Sequence, residues 1–221
     1  MKNTIKYLIL LIIYLVCGVN LQAQNYTFRN VVMSDGLSGL LVNAIYKDSE
    51  GFVWLGTDNC LDRFDGVKVR HYEFRGVDSG RKKRVNCITE TADNQLWVGN
   101  GIGLWRLNRA NGQLERIVSE KIDFAVNTLL PDGDILYIGT EKGLFIQKDG
   151  QLLQVLTDRN MLAACNRIMD LCLNEDKSAL WLATVQGLFS YSLKDGKIDS
   201  WHFQENVPEA DYFRCLTRIG E

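Results

Sequence analysis

Histidine is nearly absent from this chain: 221 residues hold only His71 and His202. Neither belongs to a recognisable Ser-His-Asp set, to a His-rich metal cluster or to a phospho-acceptor box, and no phosphate-cradling glycine loop is present. No catalytic residue, cofactor or metal is therefore expected. Cysteine gives no framework either. Of six cysteines, Cys17 falls in the leader discussed below. The other five (Cys60, Cys87, Cys165, Cys172 and Cys215) are odd in number and lack CxxC spacing, which speaks against a disulfide scaffold and a zinc site. Cys87, Cys172 and Cys215 lie in strand-like apolar runs, where cysteine serves as a small buried hydrophobe. Charge of one sign is also missing. With 25 basic and 27 acidic residues the net charge is −2, so nothing points to a nucleic-acid partner.

Long apolar runs are absent after the first few residues. Met1, Lys2 and Lys6 precede an apolar stretch from Tyr7 to Val16, and Leu21-Gln22-Ala23 ends on a small residue. A basic start, a short apolar segment and a small-residue cleavage point make residues 1–23 a signal peptide. The apolar stretch is too short to cross a bilayer, which takes about 20 residues. An uncleaved anchor is the competing reading, and a lipid-modified Cys17 is disfavoured because Val16 precedes it. The mature segment, 24–221, is expected to be soluble and periplasmic.

That segment repeats itself. Trp54-Leu55-Gly56-Thr57, Trp97-Val98-Gly99-Asn100, Tyr137-Ile138-Gly139-Thr140 and Trp181-Leu182-Ala183-Thr184 read alike, with aromatic spacings of 43, 40 and 44. Each is followed by Leu61-Asp62-Arg63-Phe64, Gly103-Leu104-Trp105-Arg106, Gly143-Leu144-Phe145-Ile146 or Gly187-Leu188-Phe189-Ser190. Each is preceded by an apolar segment: Val42-Asn43-Ala44-Ile45, Val85-Asn86-Cys87-Ile88, Val126-Asn127-Thr128-Leu129 and Ile168-Met169-Asp170-Leu171. Between the two lie Asp-, Asn- and Gly-rich turns. Outer strands are expected at Val67–Phe74, Leu114–Val118, Leu152–Leu156 and Ile198–Phe203. Period-two alternation cut by turns excludes a helical repeat. Four short antiparallel strands per 40–45 residues make an all-β propeller. The units run roughly over 40–80, 83–120, 124–160 and 166–206, and a fifth begins at 211, where Phe213 and Leu216 match Val42 and Ile45. Tyr26–Val32 reads as an outer strand ahead of the first unit. A propeller closes on itself, so four blades and the start of a fifth read as an incomplete ring.

The run Ser34-Asp35-Gly36-Leu37-Ser38, Val42 to Asp48, Glu50 to Asp58 and Leu61 to Gly66 closely resembles the two-component regulator propeller repeat. Departures are Cys60 for the usual glycine, Asn100 for threonine, Tyr137 for tryptophan and Ala183 for glycine. The resemblance implies the periplasmic sensor region of a Bacteroides-type hybrid histidine kinase. It further implies an oligosaccharide ligand and an output through the kinase and transcription. Expected partners are the downstream blades and signalling domains of the same parent chain, and a second copy in a homodimer.

The motif aromatics Trp54, Trp97 and Trp181 are expected in the blade core rather than as sugar platforms. A ligand or partner face is instead expected on the loops joining second and third strands, at Asp58, Asn59, Asn100, Glu141, Lys142 and Gln186, with Val185 beside them. Arg81-Lys82-Lys83-Arg84 reads as a solvated basic cluster, with attraction of an acidic sugar or anionic lipid as the alternative. Asp62 and Asp65 read as strand-edge and turn residues. The rival functions are a secreted propeller enzyme acting on polysaccharide and a stand-alone adhesin or scaffold.

Overall fold

The computed structural model describes residues 5–7, 30–76, 83–117, 123–156, 167–201 and 212–217. The chain divides into two units, Met1–Val31 and Val32–Glu221. In the first, Ile5, Lys6 and Tyr7 are helical and exposed; the rest of the expected signal peptide lies outside the described residues. Among those residues, no helix is long and apolar enough to cross a membrane.

The second unit is built from sixteen described strands in four sheets. The first sheet holds β1 (Val42–Lys47), β2 (Val53–Thr57), β3 (Leu61–Phe64) and β4 (Val69–Tyr72). The second holds β5 (Val85–Glu90), β6 (Leu96–Asn100), β7 (Gly103–Asn108) and β8 (Gln113–Arg116). The third holds β9 (Val126–Asp132), β10 (Ile135–Thr140), β11 (Gly143–Lys148) and β12 (Gln151–Gln154). The fourth holds β13 (Ile168–Leu173), β14 (Ala179–Thr184), β15 (Gly187–Ser192) and β16 (Ile198–Trp201). Every sheet is an antiparallel meander in chain order. The first strands β1, β5, β9 and β13 are successive neighbours, so the sheets stack side by side as blades of a β-propeller.

Each inner ladder carries the same irregularity. Val42 pairs with Thr57 but Ala44 with Gly56; Val85 with Asn100 but Cys87 with Gly99. Val126 pairs with Thr140 and Thr128 with Gly139; Ile168 with Thr184 and Asp170 with Ala183. The skipped residue is Asn43, Asn86, Asn127 or Met169. A bulge re-aims the extra side chain, and here it points asparagine at the next blade. Asn86 Nδ2 donates to Val126 O at 2.9 Å and Asn127 Nδ2 to Ile168 O at 2.8 Å.

The motif glycine makes room for that approach. A Cβ on Gly99 would sit 2.5 Å from Cys87 Sγ and 2.6 Å from Val126 Cγ1 of the next blade; on Gly139, 2.5 Å from Thr128 Cγ2 and 2.7 Å from Ile168 Cγ2. Trp54, Leu61, Tyr72 and Phe74 of blade 1 share a core with Val85, Ile88 and Trp105 of blade 2. Trp54 and Trp97 are buried as expected, Trp181 is half-buried against Trp201, and two of these rings are bonded locally: Trp54 Nε1 donates to Asp48 Oδ2 at 2.7 Å and Trp97 Nε1 to Thr91 Oγ1 at 3.1 Å. The first-to-second-strand turns also link blades. Arg109 reaches Glu50, Glu90 and Asp48 at 3.0, 2.7 and 3.8 Å, Ala92 N donates to Gly133 O, and Lys177 pairs with Asp132.

Two expectations, on Tyr26–Val32 and on Cys215, need correction, and the segment expected to open a fifth unit makes no strand pairing among the described residues. Asn30–Val32, the described part of the outer strand expected over Tyr26–Val32, forms no strand and leads into a 3₁₀ turn at Met33–Asp35. Residues 212–217 form no ladder; instead Phe213 N donates to Thr184 O and Leu216 N to Asp170 Oδ2 at 2.8 Å, satisfying the backbone on blade 4 without strand pairing. Cys215, on that segment, is exposed rather than a buried hydrophobe.

Replacing Gly139 by alanine is expected to lower the unfolding free energy by about 1–3 kcal/mol through overpacking, read as a lower urea midpoint with an unchanged slope. An unshifted midpoint would mean that the blades do not meet through this face.

Candidate functional site

The turns joining second and third strands close on one side chain. Thr57 Oγ1 donates to Cys60 O at 2.9 Å and accepts from Cys60 N at 3.0 Å and Asn59 N at 3.2 Å. Thr140 bonds Gly143 O and Lys142 N, and Thr184 bonds Gly187 O and Gln186 N, in the same way. The motif threonine is therefore a turn clamp. In these turns Asn59, Glu141, Lys142 and Gln186 are exposed and Asp58 and Val185 half-buried. Asn59 Nδ2 donates to Ser38 O at 2.7 Å. Lys142 Nζ lies 4.9 Å over the Phe124 ring, and Glu141 lies 4.0 Å from Arg167.

Asn100 does not share that position. It is fully buried and replaces the clamp threonine, its Oδ1 accepting from Ile102 N at 3.0 Å and Trp105 Nε1 at 3.1 Å. Its carbonyl oxygen is committed to turn and core, which removes it from the expected ligand face. Arg81, Lys82 and His202 lie outside the described residues; Lys83 is half-buried and Arg84 exposed.

The most built polar arrangement is one that sequence reasoning treated as strand-edge chemistry. Asp62 on β3 is fully buried. Its Oδ2 accepts from Ser38 N and Ser38 Oγ, both at 2.8 Å. Its Oδ1 accepts from His71 Nδ1 at 2.7 Å and Cys60 Sγ at 3.3 Å. Ser38 Oγ also lies 2.9 Å from Thr57 Oγ1, tying the group to the turn clamp. Strand register creates the set: Asp62 is directly opposite His71, and Leu61 opposite Tyr72. Since Leu61, Tyr72 and Phe74 face blade 2, alternation puts Cys60, Asp62, His71 and Glu73 on the opposite face.

In blades 2, 3 and 4 the residue matching Asp62 is aromatic. Trp105 packs on Phe74 at 4.9 Å, Phe145 on Phe124 at 5.9 Å, and Phe189 shares a core with Leu156. Cys60 likewise stands where Gly103, Gly143 and Gly187 take φ of 141°, 113° and 145°, and it does not itself take a positive φ. Two departures, two residues apart on one strand with a histidine facing them, were the available sequence signal. Beside the cluster is a cleft of about 330 Å³ lined by Ser38, Asn59, Cys60, His71, Glu73, Phe74 and Lys83. Burial, followed by the neighbouring Asp62 charge, pushes the Cys60 thiol up to about 12 despite a bond with Ser38.

A thiol held that high is expected to stay unreactive at neutral and mildly alkaline pH. Alkylation mapped by mass spectrometry should modify exposed Cys215 first, with Cys60 following only as pH climbs toward its raised value. Equal rates at pH 8 would contradict this burial and pairing.

Comparison with known proteins fits this geometry. Residues 36–59 match the family model described as two component regulator propeller. A histidine kinase of Formosa agariphila is 32% identical over 79 residues, which is 36% of this chain and 6% of the kinase. The crystal structure of the extracellular domain of a hybrid two-component system from B. thetaiotaomicron superposes with a TM-score of 0.62 at 27% identity, over 76% of this chain and 23% of that one. Virginiamycin B lyase from Staphylococcus aureus, at 16% identity and a TM-score of 0.61 over 80% of this chain and 59% of the lyase, shares the fold alone. The chain thus spans under a quarter of the length of the kinase and sensor-domain relatives. It carries the two-component regulator propeller repeat on a β-propeller similar to the extracellular domains of hybrid two-component systems.

Proposed function

We propose that this propeller is the extracytoplasmic sensory part of a hybrid two-component system, that it binds an oligosaccharide at the face of the second-to-third-strand turns, and that it relays occupancy by docking rather than by chemistry. The observation that carries the reading is the match of the repeat at residues 36–59 together with the likeness, at 27% identity, to an extracellular sensor domain. In this reading residues 1–23 direct export to the periplasm, and residues 24–221 form propeller units over 40–80, 83–120, 124–160 and 166–206, with a fifth from 211. The parent chain supplies further blades and the signalling domains. A homodimer would bring two such domains together.

The chemistry of the turns suits a glycan. Asn59, Lys142 and Gln186 offer exposed amide and ammonium donors, and Asp58 and Glu141 offer carboxylate acceptors. They are held on backbone fixed by the threonine clamps, so little ordering accompanies binding. Rigid scaffolds presenting polar loops are the usual form of such sites.

On a glycan array the chain, completed with the blades encoded downstream, is expected to retain a defined oligosaccharide class and to release no products from a polysaccharide panel. Asn59→Ala combined with Lys142→Ala should weaken retention about tenfold, the size of one or two lost hydrogen bonds. Binding unaffected by both changes would move the ligand elsewhere; product release would favour an enzyme. A coding frame without kinase and membrane segments would remove the two-component reading.

A further inference from the structure

We infer that Cys60, Asp62 and His71 form a binding site for a divalent cation of the zinc class on the face of blade 1 turned away from blade 2. The site stands independently of any sugar ligand. One ligand atom each from Cys60, Asp62 and His71 lies within 4.8 Å of the other two. A thiol, a carboxylate and an imidazole are together the donor set of borderline-soft ions such as Zn²⁺ and Co²⁺, whereas hard ions such as Ca²⁺ and Mg²⁺ take oxygen.

Several features separate the group from a chance surface cluster. Its centre is a carboxylate with no exposure, on a strand whose equivalents in the other three blades carry rings. Among the described residues, the cationisable side chain paired with Asp62 is His71, and Lys83 lines the cleft beside it. Ser38 holds Asp62 Oδ2 by two bonds and leaves Oδ1 facing the thiol and the imidazole. That is the division between an anchored oxygen and a ligating oxygen found where outer partners orient a metal ligand.

Glu73, one residue past β4, lines the same cleft as Cys60 and His71. Adjacent donors here are 2.7 and 3.3 Å apart, so the two hydrogen bonds to Oδ1 are replaced by coordination after a small expansion. His71 is 46% exposed and can swing without disturbing the core.

The test is titration of the purified, chelator-stripped chain with Co²⁺ alone, followed by displacement with Zn²⁺. One ion per chain is expected, with a thiolate-to-cobalt charge-transfer band that Zn²⁺ abolishes. Cys60→Ser should remove the band, and His71→Gln, at an exposed position, should weaken binding about tenfold or more while the variant stays folded by circular dichroism. Ser38→Ala should cost a similar factor, about 10–100-fold, through the anchored oxygen. Absence of the band in the unaltered chain would overturn the site. So would a band that survives Cys60→Ser, since it would place the metal on another cysteine, or affinity unmoved by His71→Gln.

Discussion

Everything in this molecule depends on how closely the first strand of one blade approaches the second strand of the blade before it. The motif glycine leaves the space, a Val or Ile from the following blade fills it, and Asn86 and Asn127 fasten the contact through a bulged backbone. A blade alone is a four-stranded sheet that leaves apolar side chains uncovered and cannot satisfy them. Stability in such an array belongs to the junctions as much as to the units. The repeat spacing, the identity of the glycine and the asparagine beside the bulge are three aspects of one requirement.

Much of the fold was legible because strand period and turn chemistry are local. Val42–Lys47 and Leu61–Phe64 stand where alternation placed them, and the outer strands begin within two residues of their expected starts. The bulge was not legible, since Val-Asn-Ala-Ile looks the same whether its second residue points into the sheet or at a neighbour. The segment at 212–217 forms no ladder among the described residues. Its pattern matches an inner strand, but an inner strand exists only where a second strand pairs with it, and Phe213 and Leu216 bond to blade 4 through Thr184 and Asp170 instead.

The polar site was the hardest part to read. Asn100 looked like a ligand-facing loop residue because it follows the motif glycine, yet that position points inward as the clamp that closes the turn. Asp62 looked like an edge residue because acids end strands so often. Its partner His71 is nine residues away and becomes its neighbour only through the β3–β4 register. Composition reports that two histidines and six cysteines are scattered along the chain; pairing decides that one of each share an acid.

Blade 1 therefore presents two unlike faces. Toward blade 2 it offers Trp54, Leu61, Tyr72 and Phe74, the same ring-and-aliphatic packing that joins the later blades. On the other face the ring is replaced by Ser38, Cys60, Asp62 and His71, while Leu40, Leu41 and Ile45 are exposed nearby. An apolar junction gains free energy in proportion to the area it buries and is little affected by small changes in pH or ion content. A junction centred on a buried carboxylate differs: any surface laid over it must leave that carboxylate its donors or supply new ones, because burying the charge unpaired costs several kcal/mol. Contact at that face is consequently conditional on what Asp62 is bonded to, so chemistry at a single side chain can set its strength.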